Sequence, residues 1–158
     1  MADEVAQRVL LEDPVTITAD RIREWTAAMR QETAVRPPRP GMVKTPDDIV
    51  RELDVVDHNL NRGLFVLRRA DELRARKQDE LAKASILARK AALGTIPDKA
   101  AYVEEHTAEE TEAAQDAELA YRYARSTTDW MDKRKSSLQT QAKLVIATMQ
   151  EAALRREP

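Results

Sequence analysis

Cysteine is absent from this 158-residue chain, which excludes disulfides, thiol catalysis and thiolate metal sites. Glycine occurs only three times and aromatic residues make up 4% of the sequence. There is accordingly no glycine-rich loop to cradle a phosphate, and too few rings to fill a thick globular core. No apolar run approaches the roughly 20 residues that a membrane-spanning helix needs. The opening Met1-Ala2-Asp3-Glu4 is acidic and lacks the charge pattern of a signal peptide, so a soluble intracellular protein is expected.

The chemistry of sites is equally sparse. His58 and His106 are the only histidines and neither has ligand-rich neighbours, so no metal or cofactor is expected. Carboxylates are plentiful, but they recur regularly along charged helical segments and single out no catalytic pair. The chain reads as a protein that is not an enzyme.

What is present is helical pattern. Charged residues make up 34% of the chain, while much of the 42% hydrophobic fraction is alanine. That combination suits long exposed helices meeting along a narrow seam. Two segments, Pro46 to Leu93 and Thr107 to Leu154, are separated by Gly94-Thr95-Ile96-Pro97, where glycine and proline interrupt the pattern. An all-α fold follows: an elongated antiparallel helical hairpin with coiled-coil character and a short helical N-terminal arm. We divide the chain into an arm (1–34), a proline-rich linker (35–45), the hairpin (46–154) and a tail (155–158).

Within the arm, Val5, Val9 and Leu10 form a short apolar patch before the break at Asp13-Pro14. Asp20 is the expected cap of a helix reaching about Gln31, on which Ile22, Trp25 and Met29 share a face. Trp25 is assigned to packing against the hairpin or another subunit. The linker Val35-Arg36-Pro37-Pro38-Arg39-Pro40-Gly41 is extended or irregular, because proline removes backbone donors and restricts its neighbours.

The first long helix starts at Thr45-Pro46-Asp47-Asp48, with threonine as cap and proline in the first helical position. Ile49, Leu53, Val56, Leu60, Leu64 and Leu67 then draw one apolar stripe. Pro97-Asp98 begins a short turn of helix, and Thr107 with Glu110 has the spacing of a capping box for the second long helix. From Ala114, a three-four alternation runs through Ala117, Tyr121, Ala124, Thr128, Met131, Lys135, Leu138, Ala142, Val145, Met149 and Ala152. The residues expected to carry packing or oligomerisation are Trp25, Leu53, Val56, Leu60, Leu64, Leu67, Tyr121, Met131, Leu138, Val145 and Met149.

Charge is nearly balanced, with 28 acidic and 26 basic residues, but it comes in blocks. Residues 98–118 hold eight acids and one lysine, and an antiparallel hairpin sets them against Arg74, Arg76, Lys77, Lys83, Arg89 and Lys90. The basic stretch from Arg122 to Lys143 returns toward Asp47, Asp48, Glu52, Asp54 and Asp57. The block Asp132-Lys133-Arg134-Lys135-Ser136-Ser137, preceded by Arg122, Tyr123, Arg125 and Trp130, has two readings. Its cations hold phosphates while Tyr123 or Trp130 stacks on a base, or they face acids on a neighbouring helix while Trp130 fills a seam between subunits.

Thr107-Ala108-Glu109-Glu110-Thr111-Glu112-Ala113-Ala114, the run Ala117 to Arg125, and Asp132 to Gln139 give the second long helix a resemblance to small helical accessory proteins of tailed bacteriophages. Over residues 46–152, the hairpin with its basic late helix is similar to phage recombination mediators of the UvsY-like type. That resemblance implies an oligomer that binds single-stranded DNA and assists recombinase loading as a single-stranded-DNA-binding protein is displaced. It implies that Lys133, Arg134 and Lys135 contact phosphate, that Arg122 and Arg125 support that surface, and that Trp130 stacks or assembles. The alternative is a phage structural or scaffold-like coiled-coil interaction protein without DNA binding. The expected partners are a second copy of the chain, single-stranded DNA and recombination proteins, or phage structural proteins under the alternative. The expected location is the cytoplasm of an infected bacterial host, or the virion for a structural component.

Overall fold

The computed structural model describes residues 15–34 and 44–154. The expected apolar patch of Val5, Val9 and Leu10, the break at Asp13-Pro14, the linker up to residue 43 and the tail 155–158 lie outside these residues. Among the described residues, 90% are helical and none is in a strand. The elements are α1 (Ala19–Glu32), α2 (Pro46–Ala91), α3 (Ile96–His106) and α4 (Ala108–Leu154). At about 1.5 Å per residue, each long helix spans roughly 70 Å.

Caps explain where the helices start. The cap of α1 is Thr18, not the expected Asp20: Thr18 is extended, with φ −107° and ψ 163°, and its hydroxyl accepts the Arg21 N–H at 3.3 Å. Asp20 is already helical, so it cannot cap; it accepts from the Arg23 guanidinium at 2.8 Å. Thr45 opens α2 as expected and forms a full capping box: its hydroxyl accepts the Asp48 N–H at 3.2 Å, and the Asp48 carboxylate accepts the Thr45 N–H at 2.9 Å.

At the closed end, Gly94 takes φ +102°, a left-handed conformation that favours glycine, and turns the chain out of α2. Thr95 and Asp98 then start α3, which extends for 11 residues rather than a single turn. The expected capping box of Thr107 and Glu110 does not form. Because α3 runs on to His106, the Thr107 hydroxyl donates backward to the Val103 carbonyl at 2.8 Å, and α4 follows after a local break in the helix.

Helices α2 and α4 pack antiparallel, and α1 lies on both of them, making a three-helix layer in the middle of the hairpin. Ion pairs fix the register. Arg134 reaches Glu52 at 2.8 Å, Lys135 reaches Asp57 at 2.7 Å and Arg74 reaches Glu118 at 3.7 Å. Arg23 on α1 reaches Asp116 at 3.0 Å, and Arg76 donates to the Ile17 carbonyl at 3.2 Å, which aligns the arm with the hairpin. The core joins Ile22, Trp25 and Met29 of α1 to Val56, Val66 and Leu73 of α2 and to Ala117, Ala124, Met131 and Leu138 of α4. Each large side chain fully buried there contributes about 1.5–3 kcal/mol by transfer from water.

The seam of α2 departs from the expected stripe. Ile49 and Val56 are buried, and Leu53, Leu60 and Leu67 flank the core, but Leu64 is 60% exposed. The buried line runs instead through Val56, Asn59, Gly63, Val66, Ala70 and Leu73, in strict three-four alternation. Gly63 has no side chain there because Met131 fills its space: a Cβ on Gly63 would stand 3.0 Å from the Met131 Cε. In α4, Ala117, Ala124, Thr128, Met131 and Leu138 are buried and Tyr121, Ala142 and Val145 pack against the core. Met149 is 57% exposed. The register of Glu52 on Arg134 carries the end of α4 past the start of α2, so the seam outruns its partner there.

Candidate functional site

Six residues of α4 were expected to form a nucleic-acid-binding surface, five cations for phosphate and Trp130 for stacking or assembly. The structure does not bring them together. Successive helical residues are turned by about 100°, so Lys133, Arg134 and Lys135 point in three directions. Arg134 leans inward, with 16% of its side chain exposed, and pairs with Glu52, which also receives Lys44 at 2.7 Å. Lys135 is held by Asp57. Arg122 is exposed but pairs with Glu118 at 2.7 Å, one turn earlier. Arg125 and Lys133 are exposed and have no ion pair among the described residues. They share their outer face with the exposed carboxylate Asp129.

The two tryptophans are both occupied. The Trp130 ring is half-buried against the core, and the Arg30 guanidinium lies 5.5 Å from its centroid. Trp25 is buried, with Arg21 at 5.3 Å on its ring. Such cation–π contacts place a charge on the face that a nucleobase would need.

Polar groups that sequence reading missed lie between the arm and the hairpin. Arg62 is buried; it donates to Glu32 at 2.8 Å and to the Asn59 Oδ1 at 3.1 Å, while the Asn59 amide donates to the Val55 carbonyl. Thr26, Thr33, Thr127 and Thr128 are buried as well. Thr33 donates to the Met29 carbonyl at 2.7 Å and lies 3.6 Å from the Met131 sulfur. The three-four spacing from Val56 to Leu73 contained the signal for Asn59 and Gly63, but polarity and size hid it. This layer ties α1 to α2 through Arg62, because a slipped arm takes Glu32 away from a buried guanidinium that would keep only Asn59, one turn earlier on its own helix.

A groove of about 310 Å3 opens where α1 begins, lined by Ile17, Thr18, Leu73, Arg76, Lys77 and Asp116. Its polar groups are already engaged: Arg76 with the Ile17 carbonyl and Asp116 with Arg23, whose guanidinium is held above its ordinary pKa chiefly by that hydrogen bond. His58 is exposed, and the His106 ring stacks on Tyr102 with centroids 3.8 Å apart. Among the described residues, no group of three potential ligands could hold a metal ion, and no helix is long and apolar enough to cross a membrane.

The remaining surface is unusual for its apolar content. Val50, Val55, Leu64, Phe65, Ile86, Leu87, Leu93, Ile96, Leu119, Leu144, Ile146 and Met149 are all exposed by at least 42%. No protein-family model, curated protein or solved structure matches the chain.

Proposed function

We propose that this protein is a non-enzymatic interaction protein whose hairpin works by associating with other helices, the second of the two roles expected from the sequence. One observation carries the reading: large apolar side chains stand in solvent along both long helices, while two of the three cations expected to contact phosphate, Arg134 and Lys135, are paired with Glu52 and Asp57. Scattered single exposed hydrophobes need no explanation, but a rod with this many has a surface suited to helix–helix association. Alanines at Ala117, Ala120 and Ala124 keep the hairpin thin, so lateral association is the natural way to thicken its core.

The recombination-mediator reading rests on Arg122, Arg125 and Lys133, since Arg134 and Lys135 would first have to leave Glu52 and Asp57. Exchanging an intramolecular carboxylate for a phosphate gains little, because both are anions of similar hydrogen-bonding capacity.

Two measurements decide between these roles. Sedimentation at micromolar concentration is expected to give a mass above the 17.9 kDa of one chain. Titration with single-stranded DNA at low salt is expected to show no binding by that assembly. Salt-dependent binding that is lost in a combined Arg122→Ala, Arg125→Ala and Lys133→Ala variant, with mass and helicity unchanged, would favour the mediator role instead.

A further inference from the structure

We infer that the closed end of the hairpin is a two-fold self-association surface, at which the tip of one copy overlaps the tip of a second. This inference rests on the interaction role proposed above and assigns it a place and an occupant.

The first observation is apolar. Residues 86–96 present Ile86, Leu87, Leu93 and Ile96, exposed by 52%, 66%, 86% and 87%. No other stretch of the described chain combines so many large apolar side chains with such exposure. The second is that α3 buries none of its residues. An isolated helix of this length is marginal in water even with good formers. Its capping box at Thr95 and Asp98 defines where it starts but supplies no packing face.

The third observation selects the occupant. On one side of the tip, Arg89 and Lys90 end α2; on the other, Glu104, Glu105, Glu109 and Glu112 follow in α3 and α4. All six are exposed and none has an ion pair among the described residues. Further along the hairpin some charged side chains find partners nearby, as Lys77 does with Glu80, Lys83 with Asp79 and Arg74 with Glu118, while others such as Arg125 and Lys133 do not; the tip differs in bringing unpaired charges of both signs together beside exposed apolar side chains. Arg89 and Lys90 suit the negative end of their own helix dipole, and the glutamates suit the positive end of α4, but neither placement gives them a counter-ion. A second copy related by a two-fold axis supplies one. In an isologous contact, if Arg89 of one copy meets Glu105 of the other, the reverse pair forms as well. The same overlap sets Leu93 and Ile96 of one copy against those of the other and gives α3 a surface to pack on. A partner of uniform charge would satisfy only one side of the tip.

The test uses the whole chain. A Leu93→Asp, Ile96→Asp variant is expected to lose the tip contact and shift the sedimenting mass downward, with circular dichroism showing α2 and α4 intact. A gentler pair of variants reads the charges: Arg89→Glu with Lys90→Glu, and separately Glu105→Lys with Glu109→Lys. Each alone is expected to weaken association at least tenfold, and an equimolar mixture of the two is expected to recover it through complementary pairs. Because the chain has no cysteine, Leu93→Cys gives a direct readout, and oxidation is expected to link two copies at the tip, whereas Leu119→Cys is not expected to link them. If the wild-type chain associates but the tip variants leave its mass unchanged and Leu93→Cys does not cross-link, this inference fails while the interaction role stands. A wild-type chain that stays monomeric and uncross-linked at high micromolar concentration overturns the tip contact, and failure to bind helical partners as well would overturn the broader role.

Discussion

Gly63 on α2 faces Met131 on α4 so closely that a Cβ at residue 63 would lie 3.0 Å from the methionine Cε and 3.2 Å from the Thr128 Oγ1. Thr33, at the end of α1, touches the same methionine through its sulfur. Met131 is therefore a side chain on which all three helices of the bundle meet, and Gly63 is the space that admits it.

Gly63→Ala is expected to change stability by less than about 1 kcal/mol, because the helix preference of alanine over glycine, about 1 kcal/mol, offsets crowding of a flexible methionine end. Gly63→Leu has no such outlet. It is expected to destabilise by about 1–3 kcal/mol through overpacking. Urea unfolding of both variants checks the pair, and a leucine variant as stable as the alanine one would contradict this account of the close approach.

Arg62→Ala removes the buried link between α1 and α2. The Asn59 Oδ1 loses its donor and Glu32 loses its partner, at an expected cost of about 1–3 kcal/mol. Trp25 is only 4% exposed, so loosening of the arm is expected to move its fluorescence to longer wavelength. Since Trp130 also emits, the comparison is best made in a Trp130→Phe background. An unshifted emission in a folded variant would mean that the arm stays seated without the Arg62 link.

Glu52 receives both Lys44 and Arg134. A double-mutant cycle of Glu52→Gln with Arg134→Gln is expected to return a coupling of about 0.5–1 kcal/mol, at the upper end for partly exposed pairs. The coupling is expected to shrink as salt is raised, because screening reaches such pairs. A zero coupling at low salt would remove this pair from the interactions that set the register.

Acid should act on three carboxylates, two of them at helix starts, only below the ordinary carboxylate range. The Thr45 hydroxyl and N–H hold the Asp48 carboxyl below its ordinary range, Thr95 does the same for Asp98, and Arg69 with Arg68 does so for Glu72. A carboxylate whose folded pKa is depressed stabilises the fold above its unfolded pKa, and that contribution disappears as pH falls through the lower folded value. Helicity is thus expected to hold down to about pH 4 and to fall below it. Asp48→Asn with Asp98→Asn should reduce that acid-dependent loss when followed by circular dichroism against pH; an unchanged acid limb would place the titrating groups elsewhere.

Much of the hairpin could be read from the chain before any coordinates. Thr45-Pro46 and the Gly94 interruption mark ends by local chemistry, so they survive in the fold almost residue for residue. The α4 seam was legible because Ala117, Ala124, Thr128, Met131 and Leu138 of the expected alternation are buried, although Ala120 and Thr127 join them unannounced. The α2 stripe went astray at Leu64, where hydrophobicity pointed one way and the space required by Met131 another. The cationic block was legible as composition only. Whether Arg134 and Lys135 face solvent or carboxylates depends on residues some 80 positions away, and no local pattern contains that distance.

The sequence by itself determined the two long helices, their approximate limits and the antiparallel direction, because caps, breakers, apolar spacing and charge blocks act over a few residues or through simple complementarity. Only the tertiary structure decided which polar side chains are buried, where the arm sits and which charges stay without a counter-ion. Those outcomes depend on how three separate helices share volume and partners, and shared volume is a property of the packed assembly that no single segment encodes.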